Sequence, residues 1–410
     1  MSFPTTISEI ETPAVLVDVD RVEANLKRAQ AYANEHGLKL RPHIKTHKLP
    51  QFARRQVELG AIGITCQKLG ESEVMADAGL DDIFMPYNIL GRPKLDRLIA
   101  LADRVAIQVT ADSETVVDGL SDAFAGRPKP LTVLVECDTG LGRCGVQSPA
   151  AARALAERID QAPGLAFGGL MTYPAVGKMA EIDAFLKATL TLLAAAGLEA
   201  ATVSSGNTPD LYRSHLVTSA TEIRPGTYIY NDRSLINRGA ATYDDCALTV
   251  LTTVVSRPTH GRAILDAGSK ALTSDLLGCN GYGEILESPG AVIAGLSEEH
   301  GHADLSAAVV KPAVEPKAVA VVPGPLPRPK PAPRASTEPL YLRLVRKEAR
   351  LREEQYAALT QHARRLSRAR RGQGARITEN TLIRIAVDML LERIDKASGA
   401  DEAELLESLK

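Results

Sequence analysis

Short β-branched runs alternate with longer stretches of helical period along most of this chain. The series opens at "AVLVDVD" (14–20) and continues through "LKLRPH", "AIGITC", "DDIFMPY", "RVAIQVT", "LTVLVEC", "LAFGGLMTY" and "ATVSS", with helix-like stretches such as 72–78 and 151–159 between them. Apolar runs bounded by helices predict βα units around a parallel sheet, and eight or so units in about 230 residues predict a (β/α)8 barrel over 1–242. From 243 the pattern changes to "CALTVLTTVVSRP", "GRAILDAGS" and "GAVIAGLS", which predict antiparallel strands of a smaller, partial β domain ending at 306.

The stretch "AAVVKPAVEPKAVAVVPGPLPRPKPAPRAS" (307–336) is dense in Pro, Ala and Val and predicts an extended linker. A last module spans 337–410. It begins with a strand-like segment, "RKEARLR" (346–352), and continues with two amphipathic helical patterns. One carries Tyr356, Leu359, Ala363 and Leu366; the other, with Thr378 as N-cap, carries Leu382, Ile385, Ala386, Met389 and Leu390.

With 410 residues, 45% hydrophobic and 24% charged, the composition is that of a globular protein with more than one domain. No run approaches the ~20 apolar residues of a membrane span, and the first residues lack the pattern of a signal peptide, so no membrane partner and a cytoplasmic address are expected. The five cysteines form no CxxC pair, which suggests neither a disulfide framework nor a zinc knuckle. The net charge of -2 hides a local excess: eleven basic residues against three acidic ones from Arg343 to Arg376. From Ile377 onward, eight acidic residues outnumber four basic ones.

Candidate chemistry gathers at the predicted strand ends, where a parallel barrel places its active site. "LRPHIKTHK" puts Lys45 at one of them. A lysine held near apolar walls and other cations has a lowered pKa and can form a Schiff base with an aldehyde, of which pyridoxal 5'-phosphate (PLP) is the obvious one. "VECDTGLGRCG" offers Asp138, a glycine loop and Arg143, a donor suited to a phenolate or carboxylate. In "VSSGNTPD" the amides of Gly206, Asn207 and Thr208 can wrap a phosphate, and "RPGTYIYND" adds a glycine turn with Tyr228 nearby.

The motifs "TPAVLVDVDRVEAN", "LRPHIKTHK", "VECDTGLGRCGV", "GGLMTY", "VSSGNTP", "TEIRPGTYIYND", "DAGSKALTSD" and "LSEEHG" together resemble the D-threonine aldolase and D-serine dehydratase group, from about 12 to about 306. The resemblance implies a fold-type III PLP enzyme with an alanine racemase-like barrel, acting on D-β-hydroxy amino acids. It implies Lys45 as Schiff-base lysine and Tyr173 beside the substrate. Arg143 would contact the cofactor's phenolic oxygen, and Gly206, Asn207, Thr208, Gly226 and Thr227 its phosphate. His43, Ser205 and Tyr228 are placed around the same cofactor. Retro-aldol cleavage of D-threonine is the expected reaction; β-elimination, which passes through the same adduct, stays open.

The chain departs from that family in two places. After Tyr173 it reads "YPAVGKM", where the family tends to carry a histidine. The family's divalent metal (Mn or Zn) is held by a pair near the C-terminus, beyond "LSEEHG", and no intact metal site is expected here. His300, His302 and Asp304 in "EEHGHAD" are weak substitutes.

The last module resembles the ribbon-helix-helix DNA-binding proteins over about 341–409. On its strand, Arg346, Arg350 and Arg352 share one face, able to enter a major groove, while Thr378 and Asn380 open the second helix toward a backbone phosphate. Double-stranded DNA is then an expected partner, and a homodimer the expected assembly, since such ribbons pair across a two-fold axis. Two other readings stay open: a basic helical hairpin acting as an interaction tail, and a DNA-binding regulator whose barrel only holds a ligand.

Overall fold

A computed structural model describes residues 6–308, with scattered helical positions at 358, 361–362, 382–383 and 385–386. The chain divides into two compact units, Met1–Val322 and Pro323–Lys410. Arg346, Arg350, Arg352, Thr378 and Asn380, and with them the expected ribbon, lie outside the described residues. Among the described residues no helix is long and apolar enough to cross a membrane.

In the first unit β1 (Ala14–Val17) leads into α1 (Val19–Glu35), β2 (Lys39–Leu40), α2 (Pro50–Glu58), β3 (Ile64–Thr65) and α3 (Leu69–Asp77). The alternation continues with β4 (Asp82–Met85), α4 (Arg92–Ala102), β5 (Ala106–Ala111), α5 (Glu114–Phe124), β6 (Leu131–Cys137) and α6 (Pro149–Gln161). β7 (Leu165–Thr172), α7 (Met179–Ala195), β8 (Thr202–Ser205), β9 (Glu222–Ile223) and the short α8 (Arg233–Asn237) complete it. Strands β2 to β9 form an eight-stranded parallel sheet in the order β2-β9-β8-β7-β6-β5-β4-β3. A parallel bridge between His43 and Thr65 joins its two ends, so the sheet curls into a barrel.

The strands are apolar runs because they are covered on both faces: every residue of β6 except Thr132 is buried. The helices are amphipathic. In α1, Val22, Leu26, Ala29 and Ala33 form the buried stripe, and the Asp18 side chain caps the helix by accepting the Arg21 amide. Between sheet and helices lies the main core, around Ile83, Val109, Leu120, Phe124 and Val133. A second core packs α1 against β2, β9 and the turn Thr227–Ile229, through Leu26, Leu40, Ile223, Tyr228 and Ile229.

The barrel interior is crossed by buried charges. Arg41 donates from Nε to Glu222 at 2.8 Å and from Nη1 to Asp82 at 2.5 Å. Ser204 Oγ donates to Glu222, and Arg224 Nε donates to Ser204 Oγ at 2.7 Å. Arg224 Nη2 reaches the Thr172 carbonyl at 2.6 Å. Strands β2, β4, β7, β8 and β9 are thereby tied beneath the mouth.

One expectation is corrected here. The run at 14–17 is not a barrel strand: β1 pairs antiparallel with β10 (Leu248–Leu251), with Val15 61% exposed. The eighth barrel strand is instead the two residues of β9, between β2 and β8, too short a run to register as a period in the sequence. After β10, strands β11 (Val254–Thr259), β12 (Arg262–Leu265), β13 (Gly283–Glu284), β14 (Val292–Leu296) and β15 (Gly301–Asp304) form an antiparallel sheet in the order β11-β12-β15-β14-β13. It encloses a small core of Ala263, Leu265, Ile293 and Ala303.

Candidate active site

Loops at the C-terminal ends of the barrel strands carry the candidate residues. Past β2 the chain turns through a 3-10 segment, Ile44–Thr46, and Lys45 projects from it at the barrel mouth, where the residue as a whole is exposed. Protein still surrounds its ammonium. Desolvation first, and then the Arg143 and Arg224 guanidinium groups, lower its pKa, with Glu71 opposing them. A larger share of the amine is therefore neutral, and nucleophilic, than for a lysine in water.

His43 sits behind this turn. Its Nδ1 accepts the Lys45 amide at 3.4 Å and its Nε2 lies 3.0 Å from Gln67 Oε1, which makes Nε2 the protonated nitrogen. Burial, followed by the charge of Lys45, lowers its pKa to about 3, so the ring is neutral. His43 anchors the lysine turn and adds no charge to it.

Tyr173, just past β7, joins the cations. Lys45 Nζ lies 5.8 Å from the centre of its ring and the Arg143 guanidinium 4.6 Å from it. Arg143 itself is exposed on the loop after β6. Asp138 shapes that loop by accepting the amides of Gly140, Leu141 and Gly142 at 3.0, 2.9 and 3.1 Å. Burial acts against its charge, but the Gly142 and Gly140 amides and Gln147 outweigh it and hold the carboxyl below the usual range.

The amides of Gly226 and Thr227 converge on one oxygen. Both donate to Thr208 Oγ1, at 3.1 and 3.0 Å. Gly226 leaves little room for a side chain, since a Cβ there would stand 3.0 Å from the His43 carbonyl oxygen and 3.2 Å from Thr46 Oγ1. Gly206 takes φ +108°, a conformation open to glycine. Ser205 Oγ is buried without a partner.

Other expected residues are turned elsewhere. The Asn207 amide group donates to the Pro174 carbonyl and to Asp210, each at 3.3 Å, so its side chain braces the loop. Tyr228 is not brought to the mouth: its ring is in the second core and its hydroxyl accepts from Gln56 Nε2 at 2.9 Å. In the β domain, His302 Nε2 pairs with Ser297 Oγ at 3.0 Å and Asp304 accepts the Ser306 amide at 2.9 Å. Among the described residues no three His, Cys, Asp or Glu side chains stand close enough to hold a metal ion.

Two residues of the site escaped the sequence reading. Arg224 is 5% exposed, and burial lowers its pKa to about 10, leaving it a cation that acts on Lys45 and His43. Glu136, 4% exposed, is raised to about 7 by burial and then by Asp112, with Arg143 and Arg224 opposing. The signal for each was a charge set directly against an apolar strand, in "EIRPG" and "VLVEC".

An amine of lowered pKa and a pair of convergent amides, on two turns whose backbones are bonded, with an arginine and a tyrosine beside the amine, suit a ligand with an aldehyde and a phosphate. PLP is such a ligand, and the tight glycine at 226 and the unpaired Ser205 hydroxyl fit its presence. Residues 17–234 match the family described as alanine racemase, N-terminal domain, and residues 247–323 the putative serine dehydratase domain; the second match runs into the stretch read as linker. The D-threonine aldolase of Arthrobacter sp is 34% identical over 311 residues, 72% of this chain and 80% of that protein. The D-threo-3-hydroxyaspartate dehydratase of Delftia sp. is 30% identical over 322 residues, 72% of this chain and 84% of that protein. The crystal structure of D-threonine aldolase from Filomicrobium marinum is 32% identical and superposes with a TM-score of 0.69, covering 75% of this chain and 85% of that one. The chain belongs to the family of D-threonine aldolase and the D-serine dehydratase-like proteins, PLP-dependent enzymes of the lyase type on an alanine racemase-like barrel.

Proposed function

We propose that this chain cleaves the Cα–Cβ bond of D-β-hydroxy amino acids, with D-threonine giving glycine and acetaldehyde. The observation that carries the reading is the pairing of Lys45, its ammonium destabilised by desolvation and by Arg143 and Arg224, with the convergent amides of Gly226 and Thr227. Those amides, with Thr208 and Ser205, would hold the phosphate of PLP. Lys45 would hold its aldehyde carbon, and Arg143 would meet its phenolic oxygen. The bound cofactor supplies a sink for the electron pair left on Cα when the bond to Cβ breaks.

The rest falls to the protein. Tyr173, with Lys45 and Arg143 both over its ring, would limit how the substrate enters, and the surplus of positive charge at the mouth would attract its carboxylate. Neutral His43 holds the Lys45 turn through the Lys45 amide. Cleavage needs a base for the β-hydroxyl proton, and the Lys45 amine, where it is free at the mouth, would be able to take it. The divalent ion that the resemblance implies has no ligand set among the described residues.

The test is to incubate the purified chain with PLP, with and without Mn2+ or Zn2+, and to follow glycine plus acetaldehyde from D-threonine and pyruvate from D-serine. Acetaldehyde formation that Lys45→Ala abolishes supports the reading. Pyruvate from D-serine without acetaldehyde from D-threonine replaces it with β-elimination.

A second function is proposed for the last module: binding of double-stranded DNA by a homodimer, through Arg346, Arg350 and Arg352, with Thr378 and Asn380 at a phosphate. Its support is the run of eleven basic residues against three acidic ones from Arg343 to Arg376. Salt-sensitive DNA binding lost in Arg350→Ala is the expected result, and binding unaltered by that substitution would remove the ribbon from consideration.

A further inference from the structure

Three buried polar side chains from three elements meet behind the Lys45 turn. His47, the residue that ends the turn, is 7% exposed; Gln56 on α2 and Tyr228 beyond β9 are 2% exposed. Gln56 Nε2 donates to Tyr228 Oη at 2.9 Å. His47 Nδ1 accepts the Leu49 amide at 3.0 Å, and burial lowers the pKa of the ring to about 4, so its single proton sits on Nε2. That donor has no partner of good geometry, and neither has the acceptor Gln56 Oε1. The His47 ring meets Phe52 edge-on, 5.9 Å between ring centres, and Gln56 is the polar side chain that acts on it. A donor and an acceptor, both out of reach of water, thus stand at a link that is not fully closed, an uncommon state for buried groups.

The ends of this line are the two halves of the cofactor site. At one end, the His47 amide donates to the Ile44 carbonyl at 3.1 Å, closing the turn that bears Lys45. At the other, Tyr228 directly follows Gly226 and Thr227, whose amides converge on Thr208. The backbones of the two turns also touch, with the His43 amide donating to the Pro225 carbonyl at 2.9 Å. A shift of one turn against the other would load both that bond and the line from His47 through Gln56 to Tyr228.

We infer that His47, Gln56 and Tyr228 are positioning residues that set the spacing between the Lys45 amine and the Gly226–Thr227 amides, and that the His47–Gln56 hydrogen bond closes when one ligand engages both turns. The inference rests on the reading above, that the two turns hold a single cofactor.

PLP binding to the full chain, followed by absorbance titration, tests it without recourse to turnover. His47→Asn keeps an acceptor for the Leu49 amide and removes the Nε2 donor; His47→Gln keeps a donor near the Nε2 position and loses the acceptor. His47→Asn and Tyr228→Phe are expected to weaken PLP binding about tenfold, and His47→Gln to stay within about twofold of wild type. A role confined to fold stability would lower the thermal midpoint and leave the affinity of the folded variants alone. Wild-type affinity in both His47→Asn and Tyr228→Phe, or equal loss in His47→Asn and His47→Gln, overturns the inference and leaves the cofactor site standing. If wild type gives no PLP band that Lys45→Ala removes, the cofactor reading itself falls and takes the inference with it.

Discussion

The Arg143 guanidinium lies 4.6 Å from the centre of the Tyr173 ring, and Lys45 Nζ lies 5.8 Å from the same centre. One aromatic side chain therefore sets the relative position of two cations that come from different barrel loops. Such contacts contribute roughly 0.5 to 2 kcal/mol each. Tyr173→Leu is expected to lower kcat/KM for D-threonine about tenfold or more, with both cations released, while Tyr173→Phe keeps the ring and PLP affinity. Because Tyr173 is only half-buried, the thermal midpoint should move little in either variant. Equal PLP affinity in Tyr173→Leu and wild type would remove the ring from the site's architecture.

Gly226 tests the fit of the two turns. Its φ is -125°, which any residue can adopt, so a substitution there is a matter of space. An added methyl would meet the His43 carbonyl oxygen at 3.0 Å, His43 Cβ and Thr46 Oγ1, and the turn bearing Lys45 has to yield. Gly226→Ala is expected to cost about 1–3 kcal/mol of stability, as other overpacked sites do, and to weaken PLP binding as well. Chemical denaturation and absorbance titration of the same preparation separate the two effects.

Beneath the mouth, Arg41 and Glu222 are each 4% exposed by side chain and bonded at 2.8 Å. Removing one partner of a buried pair leaves the other charged in a poor solvent. Arg41→Ala leaves Glu222 without that cation, and Glu222→Gln leaves Arg41 a neutral acceptor there and one ion pair, with Asp82. The alanine variant is expected to lose about 3–5 kcal/mol and the glutamine variant less, measured as shifts of the urea midpoint.

Much of this architecture was legible in the sequence, for identifiable reasons. Buried parallel strands are long apolar runs, so β4 to β8 stood out. Lys45 and Gly226 fall a few residues past the ends of β2 and β9, and Arg143 lies on the loop that follows β6, so strand-end reasoning reaches these loops. What stayed hidden was short or turned the unexpected way. β9 has only two residues, β1 is apolar yet pairs outside the barrel, and Tyr228 lies next to two amides of the site but points into the opposite core. A 3-10 turn reverses side-chain direction within a residue or two, and no periodicity records which side faces the ligand. Arg224 and Glu136 were hidden differently: one charge in or beside an apolar run has no period at all.

Three buried groups govern stability between about pH 6.5 and 5. His43 and His47 are neutral in the folded chain, with pKa values of about 3 and 4, whereas unfolded histidines titrate near 6.5. Below pH 6.5 the unfolded state binds two more protons through them, so stability falls as pH falls. Glu136 runs the other way. Its folded value of about 7 lies above the usual 4.5, so in this window the folded state holds a proton that the unfolded state has released, and stability rises as pH falls. The net excess is one proton on the unfolded side, worth about 1.4 kcal/mol of lost stability for each pH unit. Glu136→Gln removes the opposing group and is expected to double that slope. His43→Asn keeps an acceptor for the Lys45 amide, removes one of the two titrating rings and should flatten the slope almost to zero. Urea midpoints at pH 6.5, 5.8 and 5.0 for the three proteins decide the matter, and equal slopes in all three would mean that these groups do not hold their charges as the structure arranges them.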